Sequence, residues 1–332
     1  MAQEAYEPAH PDSGPEERSA RTVARPACPM CGAAGNPLHR NLLDETGAAG
    51  RWNVARCSDP SCGMLWLDPA PVAIDIPPAR PRFSTDECVT CLRGQTPGRL
   101  LDVNCGDGAT IVRLRELGWD AEGVERDPSS VEAARARGLR GAHGTLAAQG
   151  YPDEYFEAVV LSHVTEQIPD PRALIEECFR VLAPGGRLVI ETPNAGAWCH
   201  HLFGANWRGL DPPRHLQVFT LAALGRLARD GGFHVERLTS SAKAAAHYWA
   251  ESISHGAPRR EGAAPENQWS SGTRALAALG AGSEMVLLAL VPDVGEELVM
   301  LAVKPAVARE KAPKRAEEVA RGAPILAPES AG

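Results

Sequence analysis

Four cysteines early in the chain have the spacing of metal ligands. Cys28 and Cys31 enclose two residues, Cys57 and Cys62 enclose four, and a glycine follows each pair. Two tight turns of this kind can present four thiolates to one Zn²⁺ in tetrahedral geometry. The chain has nine cysteines in all, and we expect an intracellular protein to use them for metal or catalysis before disulfides. The spacing therefore predicts a structural zinc ribbon, with unliganded surface thiols as the alternative.

The other five cysteines form no second metal set. Cys88 and Cys91 are a pair without a matching partner pair, so we expect them to pack along a short helix. Cys105, Cys178 and Cys199 stand alone in apolar surroundings, where a cysteine behaves as a small hydrophobic residue. All five are therefore predicted to be packing residues.

An apolar segment that runs into a glycine-bearing turn is the second candidate site. Residues 100–108 read Leu-Leu-Asp-Val-Asn-Cys-Gly-Asp-Gly, and a helical pattern follows. Strand, tight turn and helix open many nucleotide-binding α/β domains, because glycine lets the backbone approach a ligand. The next apolar segment ends at Glu125, where a carboxylate can accept the hydroxyls of a ribose. The pattern predicts a nucleotide site, and a solvated acid at a strand end is the alternative for Glu125.

Alternating strand and helix patterns position both candidate sites. Such alternation predicts an α/β fold with a doubly wound, mostly parallel sheet and helices on both faces. The predicted strands lie near 99–104, 120–125, 139–143, 156–161, 187–192, 233–239 and 297–303. The predicted helices lie near 109–117, 128–137, 171–182 and 220–231. Ligands in such sheets bind at the carboxyl ends of the strands, which places the turn and Glu125 beside one cleft.

The order of these motifs resembles the class I S-adenosylmethionine (SAM) methyltransferases. Residues 102–108 are similar to motif I of that superfamily, usually Asp-x-Gly-x-Gly-x-Gly, with Asn104 at the first glycine. Three further segments match in order, namely 156–163 (fourth strand), 182–194 (Pro-Gly-Gly turn and fifth strand) and 207–216 (a segment of the subgroup that modifies small molecules and sugars). The resemblance covers about residues 98–240 and the strand near 297–303, and that subgroup often carries a zinc ribbon ahead of its catalytic domain.

The resemblance implies seven strands, the last antiparallel, and an enzyme that transfers a methyl group from SAM to a small molecule. A sugar or secondary metabolite, methylated on a hydroxyl, is the expected acceptor. Asparagine tolerates a left-handed backbone, so the turn can form without its first glycine. The positions implied to bind SAM are Asp102, Asn104, Gly106, Gly108, Glu125, Arg126, Thr145, Leu146 and Ser162.

Histidines are the candidate bases for a hydroxyl acceptor, chiefly His163 and His215, with His200 and His201 as further candidates. Methyl transfer from a sulfonium is an in-line displacement, so the protein mainly orients the reactants, and a base removes the hydroxyl proton. His163 ends the fourth strand, and His215 lies in Asp-Pro-Pro-Arg-His before a helix. The alternative for each is a structural hydrogen bond. Arg208, Asp211 and Arg214 could bind an anionic group of the substrate or pair with one another.

Two other functions remain open at the level of the sequence. Some methyltransferases of RNA also carry N-terminal zinc, but the net charge of −8 disfavours a surface that binds nucleic acid. A catalytically degenerate SAM-binding or scaffold protein is suggested by Asn104 and by Gln167, which stands where the superfamily often has histidine. We expect a small-molecule acceptor and no nucleic-acid partner.

Composition and pattern divide the chain into a disordered tail (1–25), the zinc ribbon (26–70), a linker with a short helix (71–97), the methyltransferase domain (98–305) with a helical insertion (240–292), and a second disordered tail (306–332). The start is polar without a signal-like apolar core, and no run looks long and apolar enough to span a bilayer. We therefore expect a cytoplasmic protein. An apolar helix at 273–291 could be a homodimer contact, a wall of the substrate pocket, or packed on its own domain.

Overall fold

The computed structural model describes residues 21–44, 50–73, 86–255 and 269–306. Most of the two predicted tails therefore lies outside the described residues. The last part of the first predicted tail is described, and Arg21–Val23 forms a short strand there.

The N-terminal module is built from short strands around the paired cysteines. They are β1 (Arg21–Val23), β2 (Gly35–Leu42), β3 (Trp52–Cys57), β4 (Leu65–Leu67) and β5 (Ala70–Ala73). Strands β2, β3 and β4 form an antiparallel sheet, and β1 pairs with β5. The inner faces of β3 and β4 bury Trp52 and Trp66, so tryptophan packing supports a module too small for a large core of its own.

The remaining elements alternate between helix and strand, as the sequence predicts. They are α1 (Glu87–Leu92), β6 (Arg99–Val103), α2 (Ala109–Glu116), β7 (Asp120–Glu125), α3 (Pro128–Ala136), β8 (Gly141–His143), β9 (Phe156–Ser162), α4 (Pro171–Val181), β10 (Leu182–Pro193), α5 (Trp198–Phe203), β11 (Gln217–Val218), α6 (Leu221–Asp230), β12 (His234–Ser241), α7 (Ala245–Ile253), α8 (Ser271–Leu290) and β13 (Glu297–Val303). Helices α3, α4 and α6 begin at side-chain caps, since Asp127, Asp170 and Thr220 each accept a hydrogen bond from a backbone amide of the first turn.

A seven-stranded sheet runs through the centre in the order β12-β13-β10-β9-β6-β7-β8. Strand β13 pairs antiparallel with both β10 and β12, and the other pairings are parallel. This confirms the predicted doubly wound sheet with an antiparallel last strand. The middle strands are apolar along their length because helices cover both faces. The strand order places the carboxyl ends of β6, β7, β9 and β10 along one edge, and β13 begins at the same edge.

The structure adds contacts that the sequence does not predict. Strand β11 pairs with β4, so the N-terminal module and the central domain share a four-stranded sheet in the order β11-β4-β3-β2. The short helix predicted within 71–97 is α1, which covers Glu87–Leu92. The predicted insertion at 240–292 contains α7 and α8, and its residues 256–268 lie outside the described residues.

Helix α8 corrects the expectation that no segment is long and apolar enough to span a bilayer. It has 20 residues and is apolar enough on average to span a bilayer, and only 17% of its apolar stretch is buried. The large apolar residues of this helix form no long continuous run, but its alanines raise its mean hydropathy. Ala277, Gly280 and Glu284 face α7 and are buried, but Leu279 and Leu290 are exposed. The helix packs on its own domain along one narrow side only.

Candidate functional site

The turn after β6 has the backbone geometry that a close ligand contact needs. Asn104, Gly106 and Gly108 all have positive φ, at 61°, 57° and 79°. Asparagine is one of the few side chains that occupies this left-handed region readily, so it replaces the expected glycine without changing the turn. A Cβ on Gly108 would lie 2.2 Å from Leu139, whereas at Gly106 it would meet nothing within 4 Å. Gly108 is therefore needed for packing, and the space beside Gly106 is open.

Glu125 ends β7 opposite this turn, and its carboxylate holds the turn in place. One oxygen accepts the Gly106 amide at 2.8 Å, and the other accepts the amides of Arg126 and Asp127 at 2.7 and 2.9 Å. The side chain is buried. A carboxylate offers about four lone-pair sites, so these three bonds limit what else it can accept. The structure gives Glu125 a role within the turn, next to its predicted role toward a ribose.

The other positions predicted to bind the cofactor lie around the same edge. Asp102 is buried within β6, and Ser162 is the last residue of β9. Arg126 is exposed after β7, and its carbonyl accepts a hydrogen bond from His143. Thr145 is exposed and Leu146 is buried in the turn that follows β8. The structure therefore brings the predicted set to one edge of the sheet, where an adenosyl group could extend from β6 to β8.

The four predicted zinc ligands converge on one point in the N-terminal module. The sulfurs of Cys28 and Cys62 are 3.7 Å apart, those of Cys31 and Cys57 are 3.3 Å apart, and all four lie within 4.8 Å of one another. Sulfurs at 2.3 Å from a tetrahedral zinc ion are separated by about 3.8 Å. Gly32, after the first pair, has a φ of +77°, as its turn requires. The donors and their spacing fit a four-thiolate zinc site.

This cysteine cluster is connected to the far side of the cleft. The Thr220 hydroxyl donates to the Cys62 carbonyl at 2.5 Å, and the Leu67 amide donates to the Leu216 carbonyl at 3.0 Å. The Leu216 amide in turn donates to the carbonyl of Glu166 at 2.8 Å. The N-terminal module therefore supports the segment that carries His215.

His163 follows β9 directly and lies between two buried carboxylates. Its Nε2 is 3.2 Å from Glu297 Oε1, and its Nδ1 is 3.5 Å from Glu166 Oε1. Its φ of 53° is unusual for a residue other than glycine and turns the ring back toward the sheet. Burial alone would lower the pKa of His163, but the two carboxylates outweigh it and raise that pKa well above its usual range. The imidazole is therefore held in its charged form.

His215 has a different environment. Its Nδ1 lies 2.9 Å from the Gly209 carbonyl, which fixes the proton on that nitrogen, and its Nε2 points toward Glu166 at 3.8 Å. Burial lowers the pKa of His215 in spite of the raising effect of Asp211 and Glu166. A neutral imidazole with its Nε2 lone pair turned inward can accept a proton. The two predicted histidines thus meet at one acid, Glu166, with opposite protonation tendencies.

Three buried acids at this edge were not singled out in the sequence. Glu166, Glu191 and Glu297 are at most 1% exposed. Thr192 donates to Glu166 at 2.9 Å, and the Ser162 hydroxyl donates to Glu191 at 3.3 Å. The sequence does carry a signal for two of them, because a charged residue in an apolar strand is a candidate for burial. Glu191 interrupts one apolar strand, and Glu297 begins another. Such residues are seldom buried unless they are paired or bind a ligand.

The arginines of the 207–216 segment are paired internally. Asp211 lies 2.7 Å from Arg208 and 2.6 Å from Arg214, and Arg214 also contacts Asp44 at 2.5 Å. Burial would raise the pKa of Asp211, but the two guanidinium groups lower it far more strongly. The sequence left two roles open for Arg208, Asp211 and Arg214, namely binding an anionic group of the substrate or pairing with one another. The structure supports the second role, in which they hold the loop together.

Comparison with known proteins agrees with this architecture. A family model described as a methyltransferase domain matches residues 37–238, which is more than half of the chain. Ubiquinone biosynthesis O-methyltransferase of Psychrobacter arcticus is 30% identical over 165 residues, covering 45% of this chain and 64% of that protein. The enzyme of the same name from Xanthomonas oryzae pv. oryzae is 33% identical over 170 residues, covering 49% and 64%. The chain thus spans slightly less than two thirds of the length of these relatives.

A solved SAM-dependent methyltransferase from Archaeoglobus fulgidus is 17% identical, with a TM-score of 0.44 over 65% of this chain and 90% of that one. The family match covers five strands of the central sheet and part of β12, together with most of the N-terminal module, and β13 lies outside it. By this match and by its fold, the chain belongs to the class I SAM-dependent methyltransferases.

Proposed function

We propose that this protein is a cytoplasmic methyltransferase that binds SAM at the turn after β6 and transfers its methyl group to a hydroxyl of a small molecule. The observation that carries the proposal is the turn itself. Three left-handed positions at alternate residues, Asn104, Gly106 and Gly108, open the backbone beside the carboxyl ends of β6 and β7. An adenosyl ligand binds at this edge of a doubly wound sheet.

A hydroxyl acceptor is favoured by the chemistry on the other side of the cleft. His215 is neutral and directs an unprotonated Nε2 inward, so it can take the hydroxyl proton as the methyl group arrives. His163, charged and held between carboxylates, can orient the acceptor. The relatives from Psychrobacter and Xanthomonas are named as O-methyltransferases, which agrees with oxygen as the acceptor atom.

The first test is a calorimetric titration of the purified protein with SAM and with S-adenosylhomocysteine. We expect one ligand per chain, with an affinity in the micromolar range that is typical of cofactor sites of about −8 kcal/mol. If neither ligand gives a heat of binding, the proposed activity is ruled out, and a scaffold protein without catalytic activity remains.

The acceptor is tested separately, by measuring S-adenosylhomocysteine formation with a panel of hydroxyl-bearing small molecules and a transfer RNA or ribosomal RNA fragment. Product with a small hydroxyl compound supports the proposal. Product with RNA alone would support a methyltransferase that acts on RNA, although the net charge of −8 disfavours RNA binding. With an active acceptor, His215→Ala should lower kcat by about 10²–10⁴ with little change in SAM affinity, as expected for a lost general base.

We propose in addition that Cys28, Cys31, Cys57 and Cys62 bind one structural Zn²⁺. Their sulfur spacing and the left-handed glycine after the first pair support this site. Elemental analysis of the purified protein should give about one zinc per chain. The double variant Cys28→Ser/Cys31→Ser should lose it, while Cys88→Ser/Cys91→Ser, a matched pair in the packed helix α1, should keep it. Full zinc content in the first variant would contradict the assignment.

The exposed side of α8 is proposed as a homodimer contact. Leu276, Leu279, Val286 and Leu290 follow one another at spacings of three, seven and four residues, so they share one face, and each is more than half exposed. Sedimentation velocity should show a concentration-dependent dimer for the parent and a monomer for Leu279→Glu/Val286→Glu. A monomeric parent at all accessible concentrations would contradict the contact.

A further inference from the structure

A second group of metal-ligating side chains lies at the opposite end of the cleft from the glycine turn. His163, Glu191 and Glu297 each offer a donor atom, and these three atoms lie within 4.8 Å of one another. His163 directly follows β9, Glu191 lies on β10 and Glu297 lies on β13, and these are three adjacent strands of the sheet. We propose that they bind one divalent cation, distinct from the zinc of the cysteine cluster.

The donor spacing fits a cation of ordinary size. His163 Nε2 lies 3.2 Å from the nearer oxygen of Glu297. Nitrogen and oxygen ligands about 2.1 Å from a metal ion are separated by about 3.0–3.4 Å at octahedral or tetrahedral angles. One imidazole and two carboxylates form a borderline donor set that suits Mn²⁺, Fe²⁺ or Zn²⁺ more than Ca²⁺.

Each proposed ligand is oriented by a partner outside the set. His163 turns its other ring nitrogen to Glu166 at 3.5 Å, the arrangement in which a carboxylate fixes the tautomer of a metal-binding histidine. Ser162 donates to Glu191 at 3.3 Å, and Tyr248 donates to Glu297 at 3.4 Å. This outer layer leaves donor atoms of all three ligands directed toward one another, as a metal site requires.

Burial supplies the second, independent indication. Glu297 is 1% exposed, yet its Oε2 atom has no hydrogen-bond partner among the described residues. An ionised carboxylate oxygen buried without a donor is costly. A histidine binds a metal as the neutral imidazole, so on metal binding His163 gives up its additional proton and the two carboxylates of the set bring two negative charges. A divalent cation would satisfy the remaining oxygen and neutralise the excess charge.

The site is reachable from solvent and would have free coordination positions. The His163 side chain keeps 14% of its surface exposed, while Glu191 and Glu297 are each 1% exposed. Three protein ligands leave at least one position for water or for an oxygen of a bound molecule. If the bound molecule is the methyl acceptor, that assignment rests on the proposed function. Binding of the cation itself does not depend on the proposed function.

The test is a Mn²⁺ titration followed by electron paramagnetic resonance, in which the six-line signal of free Mn²⁺ disappears on binding. Mn²⁺ is chosen because thiolate sites select softer ions, so the cysteine cluster does not take it up. The zinc-loaded full chain should bind one Mn²⁺. Glu297→Gln and Glu191→Gln, which keep the side-chain volume, should each weaken binding by roughly 100-fold, and Glu166→Gln by roughly 10-fold.

Glu132→Gln is the matched control, because it removes the same charge from an exposed position of α3 and should leave binding unchanged. Circular dichroism of each variant verifies the fold, and His163→Gln is the substitute if one glutamate variant does not fold. No Mn²⁺ uptake by the parent at millimolar concentration would overturn the proposal and leave a purely internal ion pair. Equal uptake by the parent and both ligand variants would overturn it too. The titration is done without SAM, so a failure of the proposed methyl transfer leaves its outcome unaffected.

Discussion

The two ends of the cleft are built from different kinds of groups. At the β6–β7 end, left-handed backbone positions and main-chain amides surround a single carboxylate, Glu125. At the β9–β13 end, the donors are side chains that are buried and ionisable, with Glu166 and Glu297 on either side of His163. The first end presents a backbone surface of fixed shape, and the second presents concentrated charge.

This difference separates binding from chemistry. Backbone amides and glycines fix where a ligand lies, because the fold itself sets their positions. Buried acids and imidazoles bind ions and move protons, and their strength depends on the neighbours that bury them. The structure therefore predicts that substitutions at the first end alter cofactor affinity, whereas substitutions at the second end alter stability, acceptor chemistry and ion binding.

The largest effect should follow the loss of Glu166. This carboxylate is fully buried and contacts Thr192, His163 and His215. Glu166→Ala therefore leaves one hydroxyl and two imidazoles without their carboxylate partner. Breaking a buried ion pair costs about 3–5 kcal/mol. Urea unfolding should show this loss, while SAM affinity of the folded fraction stays near the parent value. Glu157→Ala, which breaks an exposed pair with Arg99, should cost less than about 1 kcal/mol. Equal losses in the two variants would remove the contrast.

The next effect concerns the other end. Glu125→Ala should weaken SAM binding by about 2–3 kcal/mol, because charge-assisted hydrogen bonds to the ribose and to the turn are both lost. Asp107→Ala should have a much smaller effect, since Asp107 is exposed and pairs with Arg137 at the surface. Calorimetric titration of both variants with SAM measures the difference. An unchanged affinity in Glu125→Ala would refute the placement of the cofactor.

The same contrast explains what the sequence can predict. The strands and helices of the central domain agree with their predicted bounds within a few residues, because apolar periodicity and capping residues such as Thr220 are local signals. The turn with Asn104 and the spacing of the four cysteines are local as well. The acid-rich end of the cleft cannot be predicted from local signals, because His163 and Glu297 lie far apart in the sequence. They meet only through the strand order β13-β10-β9. The pairing of β11 with β4 depends on the folded chain in the same way.

A third prediction tests whether buried acids set the pH dependence of stability. Glu284 on α8 accepts a hydrogen bond from Trp249 at 3.0 Å and lies against Glu296, and burial raises the pKa of Glu284 to about 7. The stability that the protonated carboxyl contributes is fully present below the unfolded pKa of 4.5 and is lost as pH rises toward 7. Glu284→Gln should remove this dependence.

Urea unfolding at pH 5.5 and pH 8 measures the effect. The parent should lose about 2 kcal/mol more than Glu284→Gln between these pH values. Glu132→Gln, an exposed change of the same type, should follow the parent. If Glu284→Gln and the parent lose the same stability, the buried acid is not responsible.

The smallest effect should come from Asn104→Gly, and it decides between an active turn and a blocked one. Asn104 has a φ of 61°, a conformation that asparagine tolerates and glycine adopts freely. The substitution keeps the left-handed turn and removes only a side chain, so the backbone that faces the ligand is unchanged. We therefore expect a Kd for SAM within about twofold of the parent value, which is a difference in binding free energy below about 0.5 kcal/mol. If the asparagine side chain instead obstructs the methionine end of the cofactor, the parent shows no binding and Asn104→Gly gains it. Titration of both proteins with SAM under identical conditions distinguishes the outcomes, and binding by the glycine variant alone would show that the β6–β7 end is closed in the native chain.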